Sequence, residues 1–101
     1  MIARLWHGRT PLAKADAYAT FLDTRAMPDY RSVPGNLGAQ TLRRDEGEVA
    51  HFLTLSYWEN EQAIRAFAGA DLLKAKYYPE DADFLLEYEP DVVHYEVMSA
   101  G

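Results

Sequence analysis

Alternating apolar and polar residues predict four β-strands. Residues 2–8, IARLWHG, alternate and end at a glycine. Two further alternating runs, residues 37–44 and 48–58, flank Asp45-Glu46-Gly47, where glycine suits a tight loop. The last run covers residues 91–98, DVVHYEVM. The pattern therefore predicts one strand near each end of the chain and a hairpin between them.

Apolar spacings of three and four predict a first helix after strand one. Thr10 is expected to cap this helix, and Pro11 suits its first position because no N–H is needed there. The helix is expected to end at Met27-Pro28, since the residue before proline avoids helical angles. Residues 28–38 then read as a connection. The apolar stripe of this helix consists of Ala15, Tyr18, Ala19, Leu22 and Ala26.

A second helical region is predicted between the hairpin and the last strand. Asn60 is expected to cap a helix that stops near Gly69, and Asp71 to cap a further helical segment, LLKAKYY, that Pro79 terminates. On such a helix Tyr77 would follow the apolar side toward the sheet, while Tyr78 would lie at the rim. One of the two tyrosines is thus expected to pack and the other to be free.

The order strand, helix, strand, strand, helix, strand predicts an α+β fold of the ferredoxin-like, split βαβ type. Residues 1–101 are expected to form a single domain with a four-stranded antiparallel sheet, in which strand one lies between strands three and four. Two helices can cover only one face of this sheet, yet both faces carry apolar residues. We therefore expect two copies to pack sheet to sheet as a homodimer.

Composition narrows the classes of function. The net charge is −6 and the ten basic residues are scattered, which disfavours nucleic-acid binding. The chain has no cysteine, no apolar run long enough to span a membrane and no signal-peptide pattern at its start, so a cytoplasmic location is expected. Six acids without a basic neighbour are interpreted as a solvated turn: Glu80, Asp81, Asp83, Glu87, Glu89 and Asp91.

Four stretches occur in an order that resembles a known family: IARLWHGRT, PGNLGAQTLRR, FLTLSYWENEQAIRAF and HYEV. They resemble the antibiotic biosynthesis monooxygenase family of the dimeric α+β barrel superfamily. The resemblance implies the dimeric barrel fold and several functions, namely cofactor-free oxygenation, heme degradation and lactone isomerisation. It does not by itself select one of them.

The heme-degrading pattern is not matched. The resemblance implies an asparagine near the end of strand one, a tryptophan in the second helix and an iron-binding histidine about ten residues later, and His7, Phe67 and Tyr77 stand at those positions. Without an imidazole at the third position the expected iron ligand is missing, although a tyrosinate can bind ferric heme. We therefore expect no cofactor.

Cofactor-free oxygenation needs a base, donors for an oxyanion and a dry apolar slot. His7 is the best candidate base because histidine ordinarily titrates near neutrality, and Tyr77 could donate to a phenolate. Aromatic side chains could form the walls of the slot, although such residues in a small domain are commonly core. The candidate substrate-binding residues are Trp6, Trp58, Phe67, Tyr78 and Phe84.

Three histidines are predicted near one edge of the sheet. His7 and His51 share the alternation of neighbouring leucines, so a common facing is expected if the register cooperates, whereas His94 follows the other side of its strand. Three histidines could supply a metal site, a proton relay or a substrate clamp, but ordinary half-buried histidines are favoured over a metal triad. No local ligand spacing supports a metal site.

The leading hypothesis is a small homodimeric, cofactor-independent monooxygenase that acts on an aromatic or polyketide-like molecule. The alternative from another class is a non-catalytic or stress-related barrel that binds a small hydrophobic ligand. A lactone or enol isomerase is a third hypothesis, because the same base and donors would serve proton transfer without oxygen.

Overall fold

The computed structural model describes residues 1–101 as a four-stranded antiparallel sheet with one helical layer. The strand order is β2-β3-β1-β4, which confirms the predicted ferredoxin-like arrangement and the position of strand one between strands three and four. The strands are β1 (Ile2–Pro11), β2 (Asn36–Glu46), β3 (Val49–Trp58) and β4 (Val93–Glu96). The α-helices are α1 (Ala15–Phe21), α2 (Met27–Ser32) and α3 (Glu61–Ala68). None of them is long and apolar enough to cross a membrane.

Strand alternation divides the sheet into two faces. The helix side holds the core, in which Phe52 and Trp58 of β3 pack against Tyr18 and Ile64 with no exposed surface. The opposite side, the outer face, lacks a covering element in the chain. It consists of Ala3, Leu5, His7 and Arg9 of β1, His51, Leu53, Leu55 and Tyr57 of β3, Leu42 and Arg44 of β2, and Val93 and Tyr95 of β4.

The first helical region begins later and ends later than predicted. Strand β1 continues to Pro11, so Thr10 is a buried strand residue and not a helix cap. A 3₁₀ turn, α1, a π-helical turn at Leu22–Ala26 and α2 follow without a break. Pro28 lies in the first turn of α2, directly after the wide π turn, where its missing N–H costs little. The helical run therefore passes through Pro28 to Ser32, and the connection shrinks to residues 33–35.

Residues 70–78 do not form the predicted helix. Their backbone groups bond instead to distant parts of the chain. The Arg4 guanidinium donates to the carbonyls of Leu72 (2.6 Å) and Lys74 (2.9 Å), and the Ala75 amide donates to the Pro90 carbonyl at 2.9 Å. Only Pro79–Asp83 is helical in this region, as a 3₁₀ turn. The buried Arg4 side chain thus occupies carbonyls that a helix would have used internally.

The capping prediction at Asn60 is confirmed. Its side-chain oxygen accepts from the Ala63 amide at 2.9 Å, and α3 ends before Gly69, whose φ of 102° favours glycine. The acidic segment is not a solvated turn throughout. Asp81 is 2 % exposed, and Glu87 and Glu89 pair with β1 side chains. The partners of Glu87 and Glu89 come from β1, far away in the sequence, so the local sequence does not reveal them.

Candidate functional site

A narrow crevice lies between the helical layer and the sheet. Its volume of about 20 Å³ has room for about one water molecule. Two of its walls, Leu22 and Ala26, come from the π-helical turn, a kind of irregularity frequent at functional sites. The complete lining is Trp6, Tyr18, Leu22, Ala26, Tyr30, Thr54, Lys76, Tyr78 and Asp81. The crevice therefore joins aromatic rings with a few polar groups.

Trp6 forms part of the floor of the crevice. Its indole ring lies over Gly8, where an added Cβ would come within 2.4 Å of the ring. Glycine at position 8 is therefore required for this placement of the ring. The indole Nε1 is buried and has no hydrogen-bond partner. An unpaired buried donor is costly, so a ligand atom that accepts from Nε1 would be favoured.

Asp81 is the buried acid of the crevice. Its carboxylate accepts from the Tyr18 hydroxyl at 2.9 Å and from the Tyr78 amide at 2.7 Å. Burial raises the pKa of the Asp81 carboxyl despite these hydrogen bonds. Burial, reinforced by the nearby Asp81 charge, also raises the pKa of Tyr18. A carboxylate with a raised pKa is a stronger base than an exposed one.

Lys76 and Tyr78 are tied to the helical layer through Asp29. Lys76 Nζ donates to Asp29 Oδ2 at 2.9 Å, and the Tyr78 hydroxyl donates to the same oxygen. Burial alone would raise the pKa of Asp29, but these two donors outweigh it and hold the pKa below its usual value. Lys76 Nζ also lies 4.2 Å from the centre of the Phe67 ring. An ammonium group therefore borders the crevice with aromatic rings beneath it.

The five predicted wall residues all lie on the helix side. Trp6 and Tyr78 line the crevice directly. Phe67 stacks on Tyr30 at 4.4 Å between centroids and contacts Trp58, so both form a layer behind the crevice. Phe84 packs on Tyr18 at 5.1 Å. The sequence therefore grouped these residues on the face where the structure places them.

Two of the three histidines meet on the outer face. His7 Nε2 lies 3.0 Å from His51 Nδ1, so the predicted common facing is found. His7 Nδ1 also bonds to the Glu89 carboxylate, and His51 Nε2 lies 3.2 Å from Glu46. The pair borders an open cleft of about 210 Å³ that Leu42, Arg43, Arg44 and Leu53 complete. The predicted base His7 is therefore separated by the sheet from the predicted aromatic walls.

His94 and Tyr77 have other surroundings. His94 lies on the helix side of β4, where its Nε2 is 3.1 Å from Arg4 Nη1 and its buried Nδ1 has no partner. The Tyr77 hydroxyl donates to the Glu89 carbonyl, and burial raises its pKa. Both hydroxyls of the tyrosine pair are thus bonded, whereas the sequence predicted one free tyrosine. The helical spacing that separated them does not exist.

Sequence reasoning missed two polar residues of the crevice, Lys76 and Asp81, and also Asp29, which binds Lys76 beside it. Asp81 stands within a run of acids that was interpreted as solvated. A local signal was present, because Pro79 followed by an acid two residues later is typical of the first turn of a helix. No comparable signal marked Asp29 or Lys76, whose contact joins residues 47 positions apart.

Comparison with known proteins identifies relatives in fold and sequence. The sequence model of the antibiotic biosynthesis monooxygenase family matches residues 9–76. No curated protein matches the chain. Among solved structures, a protein described as an antibiotic biosynthesis monooxygenase from Nitrosomonas europaea is similar with a TM-score of 0.72 and 16 % identity, covering 98 % of this chain and 100 % of that chain.

Two further structures have the same fold. The heme-degrader MhuD from Mycobacterium tuberculosis, with two hemes bound in its active site, gives a TM-score of 0.67 at 21 % identity and covers 100 % of this chain and 99 % of that chain. A monooxygenase from the gene ActVA-Orf6 of Streptomyces coelicolor, in complex with nanaomycin D, gives 0.62 at 21 % identity, covering 98 % and 88 %. At these identities the structural likeness establishes the fold only.

Proposed function

The chain belongs to the antibiotic biosynthesis monooxygenase family, and within that family we propose a cofactor-independent monooxygenase that acts on a small aromatic, polyketide-like molecule. Family membership supports monooxygenase-like chemistry in general. One observation carries the finer proposal: the buried Asp81 carboxyl, the Trp6 indole and the Lys76 side chain line a single aromatic crevice. These are the base, the donor and the charge that such chemistry requires.

The substrate is proposed to bind between Trp6 and Tyr78. A crevice of about 20 Å³ is too small for a ring system, so binding requires the cover segment, defined as residues 70–85, to move outward. This segment supplies Lys76, Tyr78 and Asp81 and contains no regular structure except the turn Pro79–Asp83. When it closes over a bound ring, water is excluded from the reacting atoms.

Asp81 is the proposed base. With an anthrone as substrate, Asp81 removes a proton from the activated ring CH₂ carbon and leaves an electron-rich carbanion. The carbanion reduces O₂ and forms the C–O bond, and loss of water then leaves a quinone. One oxygen atom enters the substrate, and the other leaves as water with the two hydrogens of that carbon. The substrate supplies all the electrons, so no external reductant is needed.

Trp6 and Lys76 are the proposed partners of the negative charge. Trp6 supplies an indole N–H near Tyr77, and the Lys76 ammonium needs only to release or share Asp29. Donors aimed at a developing oxyanion in a dry site are among the largest contributions to catalysis. The same donors would hold a phenolate that is bound without reaction, as the binding-barrel alternative requires.

Heme chemistry is not part of the proposal. Tyr77 stands where the resemblance implies the iron ligand, but its hydroxyl is engaged with the Glu89 carbonyl. Burial raises the pKa of Tyr77, whereas ligation of ferric heme by tyrosinate needs a lowered pKa. The donor set on this side of the sheet therefore favours an organic ligand.

A second copy of the chain is the proposed cover of the apolar part of the outer face. Val93 and Tyr95 are 49 % and 58 % exposed, and with Leu5, Leu53 and Leu55 they form a continuous apolar area. Such an area on an antiparallel sheet is typical of an association surface. A homodimer packed sheet to sheet would bury it.

Oxygen consumption with an anthrone tests the proposed function. Asp81→Asn is expected to lower kcat by roughly 10²- to 10⁴-fold, the usual contribution of a general base. Glu80→Gln is the matched control, because Glu80 is the adjacent acid of the same turn but is exposed. Rates are corrected for uncatalysed oxidation, and circular dichroism confirms that each variant is folded.

Three results would overturn the proposal. Anthrone retention without product would favour the binding barrel, and proton exchange without oxygen uptake would favour an isomerase. Turnover that survives Asp81→Asn but is lost in His7→Gln would place the chemistry on the outer face.

A further inference from the structure

Four side chains form a continuous hydrogen-bonded row at the polar end of the outer face. They run in the order Glu89, His7, His51, Glu46, with His7 Nε2 and His51 Nδ1 3.0 Å apart in the middle. The carboxylates accept from the outer ring nitrogens, so the two inner nitrogens face each other. The row belongs neither to the crevice nor to the apolar part of the outer face.

The row has too few protons for its three contacts. Its three contacts need three protons, whereas two neutral imidazoles carry one proton each. If both outer nitrogens donate to carboxylates, both inner nitrogens present lone pairs to one another. The middle contact is then satisfied only by an additional proton or by another electron-pair acceptor between His7 Nε2 and His51 Nδ1.

We propose that this acceptor is a divalent transition-metal ion, bound by His7 Nε2 and His51 Nδ1. Imidazole nitrogens bind such ions at about 2.0 Å, so two ligands in adjacent positions of a square-planar or octahedral ion lie about 2.9 Å apart. The observed separation of 3.0 Å agrees with that value.

The surroundings are those of a histidine metal site. Metal-binding histidines ordinarily donate their other ring N–H to a carboxylate, which fixes the ring and raises its basicity. Glu89 and Glu46 occupy these positions. The neighbouring Arg44 is itself 3.0 Å from Glu46, so its charge is partly compensated. Both histidine side chains retain access to solvent, at 33 % and 17 % exposure.

Two protein ligands limit the class of ion. No group of three or more His, Cys, Asp or Glu side chains is arranged to hold a metal, so water must complete the coordination. The adjoining cleft of about 210 Å³ has room for those waters. Among divalent ions Cu²⁺ binds imidazole most tightly, and it accepts tetragonal sites with nitrogen and oxygen ligands. Cu²⁺ is therefore the expected ion, followed by Ni²⁺ and Zn²⁺.

Calorimetric titration with Cu²⁺ alone, in a weakly coordinating buffer, tests the site. We expect one ion per chain. Its electron paramagnetic resonance signal is expected to show coupling to two imidazole nitrogens. His7→Ala and His51→Ala are each expected to weaken binding by more than the roughly 10- to 100-fold that loss of a supporting carboxylate costs. Glu89→Ala is expected to fall within that range.

His94→Gln is the matched control, because it removes the only other histidine and that histidine lies across the sheet. Cu²⁺ affinity is expected to be unchanged in this variant. Equal affinity in the native protein and in His7→Ala would overturn the proposal, as would a signal that shows a single nitrogen. The site lies on the opposite side of the sheet from the crevice, so neither result depends on the proposed oxygenase chemistry.

Discussion

The two faces of the sheet are built by the same strands, but the acidic groups on the two sides have different surroundings and therefore different pKa shifts. On the helix side, burial raises the pKa of Asp81, which has no cationic partner. On the outer side, arginine partners have the largest effect on the pKa of the acids. A hydrogen bond from Arg9 lowers the pKa of Glu87, and one from Arg44 lowers that of Glu46. An acid in this protein therefore responds to its immediate surroundings: the pKa is raised where a buried carboxyl has no cationic partner and lowered where a carboxylate has one.

Trp6 and His7 illustrate this division most directly. They are adjacent in β1, yet Trp6 lines the closed crevice and His7 borders the open cleft. A strand turns successive side chains to opposite faces, so sequence neighbours cannot share a site here. The proposed oxygenase and metal sites are consequently independent of each other.

Truncation of a side chain on each face should give the largest difference between the two faces, measured as loss of the free energy of unfolding. Phe52→Ala is expected to lower the free energy of unfolding by about 3–5 kcal/mol, because Phe52 is fully buried on the helix side. Leu53→Ala, the next residue but on the outer face, should cost about 1–2 kcal/mol in dilute protein, because its side chain is partly exposed. Urea denaturation measures both. Equal losses would show that the outer face is already covered.

Charge on the outer face should break the proposed dimer. Val93→Asp places two like charges across a two-fold interface and is expected to weaken association roughly 10- to 100-fold, or about 1.4 to 2.8 kcal/mol. Leu73→Asp is the control, because Leu73 is similarly exposed, at 54 %, but belongs to the cover segment. Sedimentation measures the association constants. A native protein that remains monomeric at high concentration would contradict the dimer.

Acid should destabilise the helix side through His94. Burial, together with the neighbouring Arg4 charge, lowers the pKa of His94 below 6.5. The neutral form is therefore favoured in the folded protein, and its contribution to stability is present above pH 6.5 and lost as the pH falls through the lowered pKa. His94→Gln is expected to lose less stability between pH 7.5 and pH 5, a window chosen around the ordinary value of histidine. Thermal unfolding at both pH values checks this, and an unchanged pH dependence would refute it.

The smallest expected effect is at Thr10, where it distinguishes a strand residue from a helix cap. The Thr10 hydroxyl is buried without a partner, so Thr10→Val should be neutral or stabilise by up to about 1 kcal/mol. If Thr10 capped a helix, as the sequence suggested, the same change would cost about 1 kcal/mol. Chemical denaturation distinguishes the two signs.

Alternation and strand order could be predicted from the sequence because they follow local rules. The alternating runs located the sheet, and the βαβ topology then placed β1 between β3 and β4. The shared facing of His7 and His51 followed from the alternation once the register was set. The family membership was also recognisable, since the family match over residues 9–76 includes the stretches PGNLGAQTLRR and FLTLSYWENEQAIRAF.

Long-range hydrogen bonds explain the failures. Residues 72–78 have a helical apolar spacing, but their backbone groups form hydrogen bonds with Arg4 and with the Pro90 carbonyl instead. The polar residues of the crevice depend on contacts such as Lys76 to Asp29, which no local pattern encodes. The row from Glu89 to Glu46 likewise draws on three separate segments.

In the proposed opening, Arg4 limits which part of the cover segment can move. Its guanidinium donates to the carbonyls of Leu72 and Lys74 and holds them against the sheet. The later half of the segment is therefore the part that would move. That half is held to the helical layer by Asp29, which accepts from Lys76 and Tyr78, and also by Tyr18, which donates to Asp81, and Lys14, which donates to the Asp83 carbonyl. In the proposed opening, a guest molecule would enter by a hinge beside Lys74 once Asp29 releases Lys76 and Tyr78.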